Sequence, residues 1–175
     1  MSREILTDVL SYQPKYLKWA GVDLFHVTTE KGIRQMVLIE TNSCPSGQKS
    51  MPLFREHEDM GGYEFLVRKA FLPGLKNRKK LPEGDYAVIY DKNYIEASGY
   101  ACALATVLGE PVYLASFHSN DVNESTRFTD GVLEINDMEK DWVPIRAAIS
   151  YVTQKPWDRI PTNTRTLILN PILGC

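Results

Sequence analysis

The sequence predicts an α/β protein, and three observations predict it. Two runs of branched and aromatic residues near the N-terminus have the alternation of a β-hairpin. A strand–helix–strand pattern runs from 85 to 117. Between them lies a Pro-Gly break followed by a basic stretch, where the chain passes from one lobe to the next. The first lobe, 1–80, is a small hairpin-and-helix unit, and the second, 81–175, is built around a βαβ unit.

In the first lobe, Ile5, Leu6, Val9 and Leu10 recur at helical spacing over 2–11, with Ser2 placed to cap the start. Pro14 ends that helix or forces a turn. Residues 22–28 read as a strand, Glu30-Lys31-Gly32 as a turn, and 35–41 as the returning strand. The Ser, Gly and Pro content of 42–52 makes a loop. A helix is expected from about 59 to 71, with Tyr63, Leu66, Val67 and Ala70 on one stripe, stopped by Pro73-Gly74. The basic run 76–80 then reads as a solvated connection.

In the second lobe, 86–90 is a short buried strand. Residues 93–108 form a helix with Ile95, Gly99, Cys102, Ala103 and Thr106 on one side, their small members allowing close packing on a sheet. Gly109 ends it, and 111–117 is the next strand. A unit of this length implies a parallel pair. Further strands are expected at 132–135 and 166–169. The pattern of 142–152 fits helix and strand equally.

The chain has 175 residues, 43% of them apolar and 24% charged, enough to bury a core without staples. Twenty basic residues against twenty-two acidic ones leave it nearly neutral. That balance argues against a dedicated nucleic-acid binder or a polybasic membrane binder. Its three cysteines, Cys44, Cys102 and Cys175, are widely spaced and include no CxxC pair, so neither a disulfide framework nor a structural zinc site is expected. The N-terminus lacks the apolar core of a secretory signal, and no apolar run approaches the roughly 20 residues of a membrane span. The expected address is the cytoplasm.

The stretch with most chemistry is Val37-Leu38-Ile39-Glu40-Thr41-Asn42. Residues two apart on a strand share a face, so Glu40 and Asn42 project together where a hydrophobic strand opens into a polar loop. Asp23, on the partner strand, is placed to face them. Two carboxylates and an amide oxygen form a hard-oxygen set suited to Mg²⁺. The same residue types also fit a plain strand end, since Asn after a strand often forms a turn.

On these residues the sequence resembles the circularly permuted ATP-grasp proteins of the glutathionylspermidine/trypanothione synthetase-like family. In that family a strand ending Leu-Leu-Glu-x-Asn leads into a Thr/Ser/Pro loop, and an earlier strand carries an aspartate in a Phe-Asp type setting, matched here by Val22-Asp23-Leu24-Phe25. The resemblance implies that Asp23, Glu40 and Asn42 hold the Mg²⁺ that bridges ATP phosphates. It also implies that Ser43, Ser46 and Lys49 contact the phosphoryl group and acyl substrate. It further implies that 81–175 is the Rossmann-like lobe preceding the ATP-grasp core. The loop departs from the family's Ala-Asp-Thr-Pro-Thr, reading Ser-Cys-Pro-Ser-Gly-Gln-Lys-Ser. Trp19-Ala20-Gly21 stand before Val22-Asp23, where the family often has an arginine.

The implied activity is ATP-dependent joining of a carboxylate to an amine through an acyl-phosphate. The family's adenine-holding sheets and Gly-rich loop follow the βαβ region, and the sequence stops after an apolar strand. The expectation is therefore an N-terminal portion that is inactive alone.

Other readings are weaker. Gly47-Gln48-Lys49-Ser50 lacks the adjacent Gly-Lys of a P-loop. Cys44, expected to be exposed, would need His26 or His57 as base, and nothing pairs them. His118 reads as a surface residue. No GxGxxG follows Tyr90, which argues against a dinucleotide. Trp142, Tyr151 and Trp157 around Arg146 read as packing. The rival to a ligase is a non-catalytic interaction or regulatory domain on the same scaffold.

Overall fold

In a computed structural model, which describes residues 3–47, 61–120, 125–139 and 141–174, the chain forms a mixed α/β fold with a large mixed sheet and a separate hairpin. The central strand β3 (Asp85–Tyr90) is apolar throughout its middle and is paired on both edges. It lies parallel to β4 (Val112–Ser116) on one side and to β7 (Asp141–Tyr151) on the other. Helix α4 (Tyr94–Leu108) connects β3 to β4, so the expected βαβ unit is present. Asn93 caps the helix by accepting from the Glu96 amide at 3.3 Å, and Gly109 closes it in the left-handed region.

Strand β7 shares its far edge between two partners. Its first half runs antiparallel to β6 (Val132–Asp137), and its second half parallel to β8 (Leu167–Leu169). Strand β5 (Thr126–Thr129) pairs antiparallel with β6. The ambiguity of 142–152 in the sequence now has a cause. Ile145, Ala147, Ala148, Ile149 and Tyr151 are all buried, because both faces of the sheet are covered. A strand covered on both faces loses the two-residue alternation by which strands are recognised. On one face Val88, Ala147 and Ile149 pack with Tyr63, Val67, Phe71, Tyr100 and Leu104. On the other, Ala87, Ile89, Ile145 and Ala148 pack with Phe117, Leu133, Val152 and Ile168.

Four details differ from the sequence expectation. The helix predicted to stop at Pro73-Gly74 continues through them. Helix α2 (Gly61–Leu66) passes into a π-helical stretch (Val67–Phe71) and then α3 (Leu72–Asn77). A proline inside an α-helix clashes with the carbonyl four residues back. Here the Leu72 amide bonds to the Val67 carbonyl in the wider π pattern just before Pro73, which makes room for the ring. Residues 59–60 of that predicted helix lie outside the described residues.

Arg78, assigned to a solvated connection, is half-buried and donates to the carbonyls of Thr166 and Thr164 at 3.2 and 2.9 Å. The buried stripe of α4 is Ala97, Gly99, Tyr100, Ala103 and Leu104, while Ile95 and Cys102 are exposed. Gly99 faces another helix rather than the sheet: a Cβ there would stand 2.7 Å from the Tyr63 ring. Strand β5 was not foreseen, although its turn into β6 carries a recognisable signal. Asp130-Gly131 has positive φ at both residues, as a tight hairpin turn requires.

Residues 61–77, placed in the first lobe by the sequence, contribute to the same core cluster as α4 and the sheet. Helix α1 (Arg3–Ser11) leaves Ile5, Val9 and Leu10 open to solvent.

Candidate functional site

The hairpin consists of β1 (Gly21–Thr28) and β2 (Arg34–Asn42), antiparallel as the alternation predicts. Asp23 pairs directly with Glu40, and Asn42, opposite Gly21, lies on the same face. The Asn42 amide reaches the Glu40 carboxylate at 3.5 Å. A bulge just beyond this pair shifts the register, so that Leu24 meets Leu38. Bulges bend a strand and re-aim its side chains, and this one adjoins the carboxylate pair. Phe25 and Val37 extend the carboxylate face, while Leu24, Leu38 and Met36 occupy the reverse. Both faces are bare, with Phe25 and Met36 each 65% exposed.

The roots of the hairpin are held far more firmly than its body. The Asn170 side chain accepts from the amides of Lys18 and Trp19 at 3.0 and 3.1 Å, just before β1. Its amide group donates to the Trp19 and Ser43 carbonyls at 2.6 and 2.8 Å, tying in the loop just after β2. Tyr100 donates to the Pro45 carbonyl at 2.8 Å. Ser46 Oγ lies 2.7 Å from the Tyr151 hydroxyl, and the Cys44 thiol faces the Ser150 carbonyl at 3.2 Å. Gly21 is required by closeness, since a Cβ there would fall 2.4 Å from Pro45 Cβ.

Beneath this loop Tyr100 sits edge-on to Tyr63, with ring centroids 4.9 Å apart. Burial, helped by the Glu96 carboxylate, pushes the Tyr100 phenol up from its ordinary value, keeping it protonated as the donor to Pro45. Burial also pushes the Tyr151 phenol up, against the opposing hydrogen bond with Ser46.

The structure thus brings Asp23, Glu40 and Asn42 onto one face of one hairpin. Ser43 and Ser46 sit at its root, where the Ser43 carbonyl and the Ser46 hydroxyl both have partners within the fold. Lys49 and His57 lie outside the described residues. Cys44 is half-buried rather than exposed, and His26 is on the reverse face from Asp23. His118 is exposed, as expected. The aromatic set around Arg146 is dispersed. Trp157 donates to the Val152 carbonyl, Trp142 stacks on Arg127, and Arg146 lies over the Tyr86 ring.

Sequence reasoning missed Asn170, Tyr100 and Tyr151 as the residues that hold the site. The only local signal was Asn170-Pro171 after a strand, which reads as an ordinary turn.

Two carboxylates and an amide are oxygen donors of the kind Mg²⁺ takes, so the residues present fit that ion. Among the described residues no group of three or more His, Cys, Asp or Glu side chains converges. Among those residues no helix is long and apolar enough to cross a membrane. No protein-family model matches the chain, and no curated protein matches it.

Proposed function

We propose that this chain is the N-terminal portion of a permuted ATP-grasp carboxylate–amine ligase working in the cytoplasm. In the complete site, ATP phosphorylates the acid and an amine displaces the phosphate from the acyl-phosphate. The observation that carries the reading is the pairing of Asp23 with Glu40, with Asn42 on the same face of a hairpin end. Those three side chains would hold Mg²⁺, which when bound neutralises charge on the transferring phosphoryl group. Ser43, Ser46 and Lys49 would orient the acyl substrate, with Tyr151 fixing the Ser46 hydroxyl.

The bare hairpin supports the same reading. A two-stranded ribbon apolar on both faces is marginal by itself and needs further strands and a cover to make an ATP pocket. The strands β4, β3, β7 and β8, mutually parallel, support a Rossmann-like lobe preceding that core. On this reading the chain alone turns over no ATP.

The test is a titration with Mn²⁺ as a paramagnetic stand-in for Mg²⁺. One weak site is expected, lost in Asp23→Asn and in Glu40→Gln and retained in Ser46→Ala. A titration indifferent to both carboxylate changes would refute the metal assignment. ATP turnover by this chain that depends on Glu40 would contradict its inactivity alone. The bare apolar faces also favour a second reading, a non-catalytic interaction domain. That reading gains if the metal site is absent while the hairpin binds protein.

A further inference from the structure

We propose that the cavity along the open edge of β8 is a binding site for a small organic anion with an apolar body. The cavity holds about 230 Å³ between the N-terminal segment, the π-helical stretch and α3, and the turn that follows β8. Phe71, Leu167, Leu169 and Ile172 supply much of its apolar wall. Two charged side chains line it, Lys18 and Arg78, and both are cationic. The ion pairs among the described residues, Arg68–Glu64 and Arg127–Glu134, involve neither of them.

Size and charge together define the ligand. An apolar cavity of about 150 Å³ takes a benzene ring, and drug-sized pockets begin near 300 Å³, so this one suits a chain or ring of about six to eight carbons. Two unneutralised cations and no acidic side chain on the lining select a carboxylate over an amine or an alcohol. Arg78 also argues against an added β-strand as the occupant. Its guanidinium already covers the Thr164 and Thr166 carbonyls leading into β8, blunting the edge on which such a strand would pair. No residue of the cavity belongs to the hairpin, so the inference stands apart from the ligase reading.

The experiment titrates the 175-residue chain with octanoate, octanol and octylamine. Calorimetry reads affinity, and amide NMR shifts read location. Saturable octanoate binding at a single site is expected, with shifts confined to 16–18, 70–78 and 162–173. Octanol should bind about tenfold more weakly, and octylamine not measurably. Lys18→Met should weaken octanoate severalfold and leave octanol unchanged. Its side chain is exposed and bonded only to the Pro14 carbonyl, so this variant avoids the structural role that Arg78→Met would disturb. Equal affinity for octanol and octanoate, shifts centred elsewhere, or no saturable binding would each overturn the proposal.

Discussion

Two strand pairs in this molecule are written in nearly the same residues and end in opposite environments. In the hairpin, Val22, Leu24, Phe25, Val37, Leu38 and Ile39 are all exposed. In the central sheet, Val88, Ile89, Ile145 and Ile149 are at most 3% exposed. Branched and aromatic residues make both segments strands, because their side chains fit the pleat. Whether those strands become core depends on what packs over them, and that is not encoded within the strand. The central pair gains helical residues of 63–72 and α4 on one face and Phe117, Val152, Trp157 and Ile160 on the other. The hairpin is instead held at its roots by Asn170, Tyr100 and Tyr151, each far from it in sequence.

That contrast can be broken most directly by truncating apolar side chains in each region. Leu104→Ala in the core should cost about 2–5 kcal/mol of unfolding free energy in denaturant titration. Leu38→Ala in the hairpin should change it by less than about 0.5 kcal/mol. Equal losses would mean that the hairpin is covered in solution and the comparison is wrong.

The clamp should matter next. Asn170→Ala removes four hydrogen bonds and strands the backbone groups of 18, 19 and 43, at a cost of about 2–3 kcal/mol. Hydrogen exchange should then accelerate across 18–46 while β3 and β7 stay protected. Uniform acceleration would show that the hairpin and the sheet are one cooperative unit.

A third test uses pH. The Tyr100 phenol is pushed up from its ordinary value of 10.0, so above that pH the unfolded chain releases a proton that the folded one keeps. Stability should fall as pH rises above 10, and the slope should flatten in Tyr100→Phe. The smallest effect is expected at Glu134. Burial raises its carboxyl, but the hydrogen bonds from Arg127 at 2.6 Å and Thr129 at 2.8 Å outweigh that and hold it below its ordinary value of 4.5. Its contribution is present above 4.5 and is lost as pH falls through the lower folded value. The pair is partly exposed, so Arg127→Met should cost under about 1 kcal/mol more near neutrality than at strongly acid pH, where only the stacking on Trp142 is lost.

Where a signal was local, the sequence was readable. The alternation of 22–28 and 35–41 yielded the hairpin, but the pairing of Asp23 with Glu40 depends on the bulge between Asp23 and Leu24, which alternation does not announce. The βαβ order of 85–117 was equally plain. Where the deciding partner was distant, reading failed. The π-helical turn before Pro73 shows why: proline is a breaker locally, but packing of Val67, Ala70 and Phe71 against the sheet favours continuing the helix. Arg78 looked like part of a charge run because its carbonyl partners lie 86 and 88 residues away.

The sequence by itself determined the α/β class, the hairpin, the βαβ unit and the shared face of Glu40 and Asn42, because each follows from side-chain period and chain direction over a few residues. Tertiary structure alone decided that β7 is a central strand, that Asn170 locks both roots of the hairpin, and that a cationic cavity borders β8. Those features join segments up to 152 residues apart. Contacts of that span arise from the shape of the packed core, which no window of sequence contains.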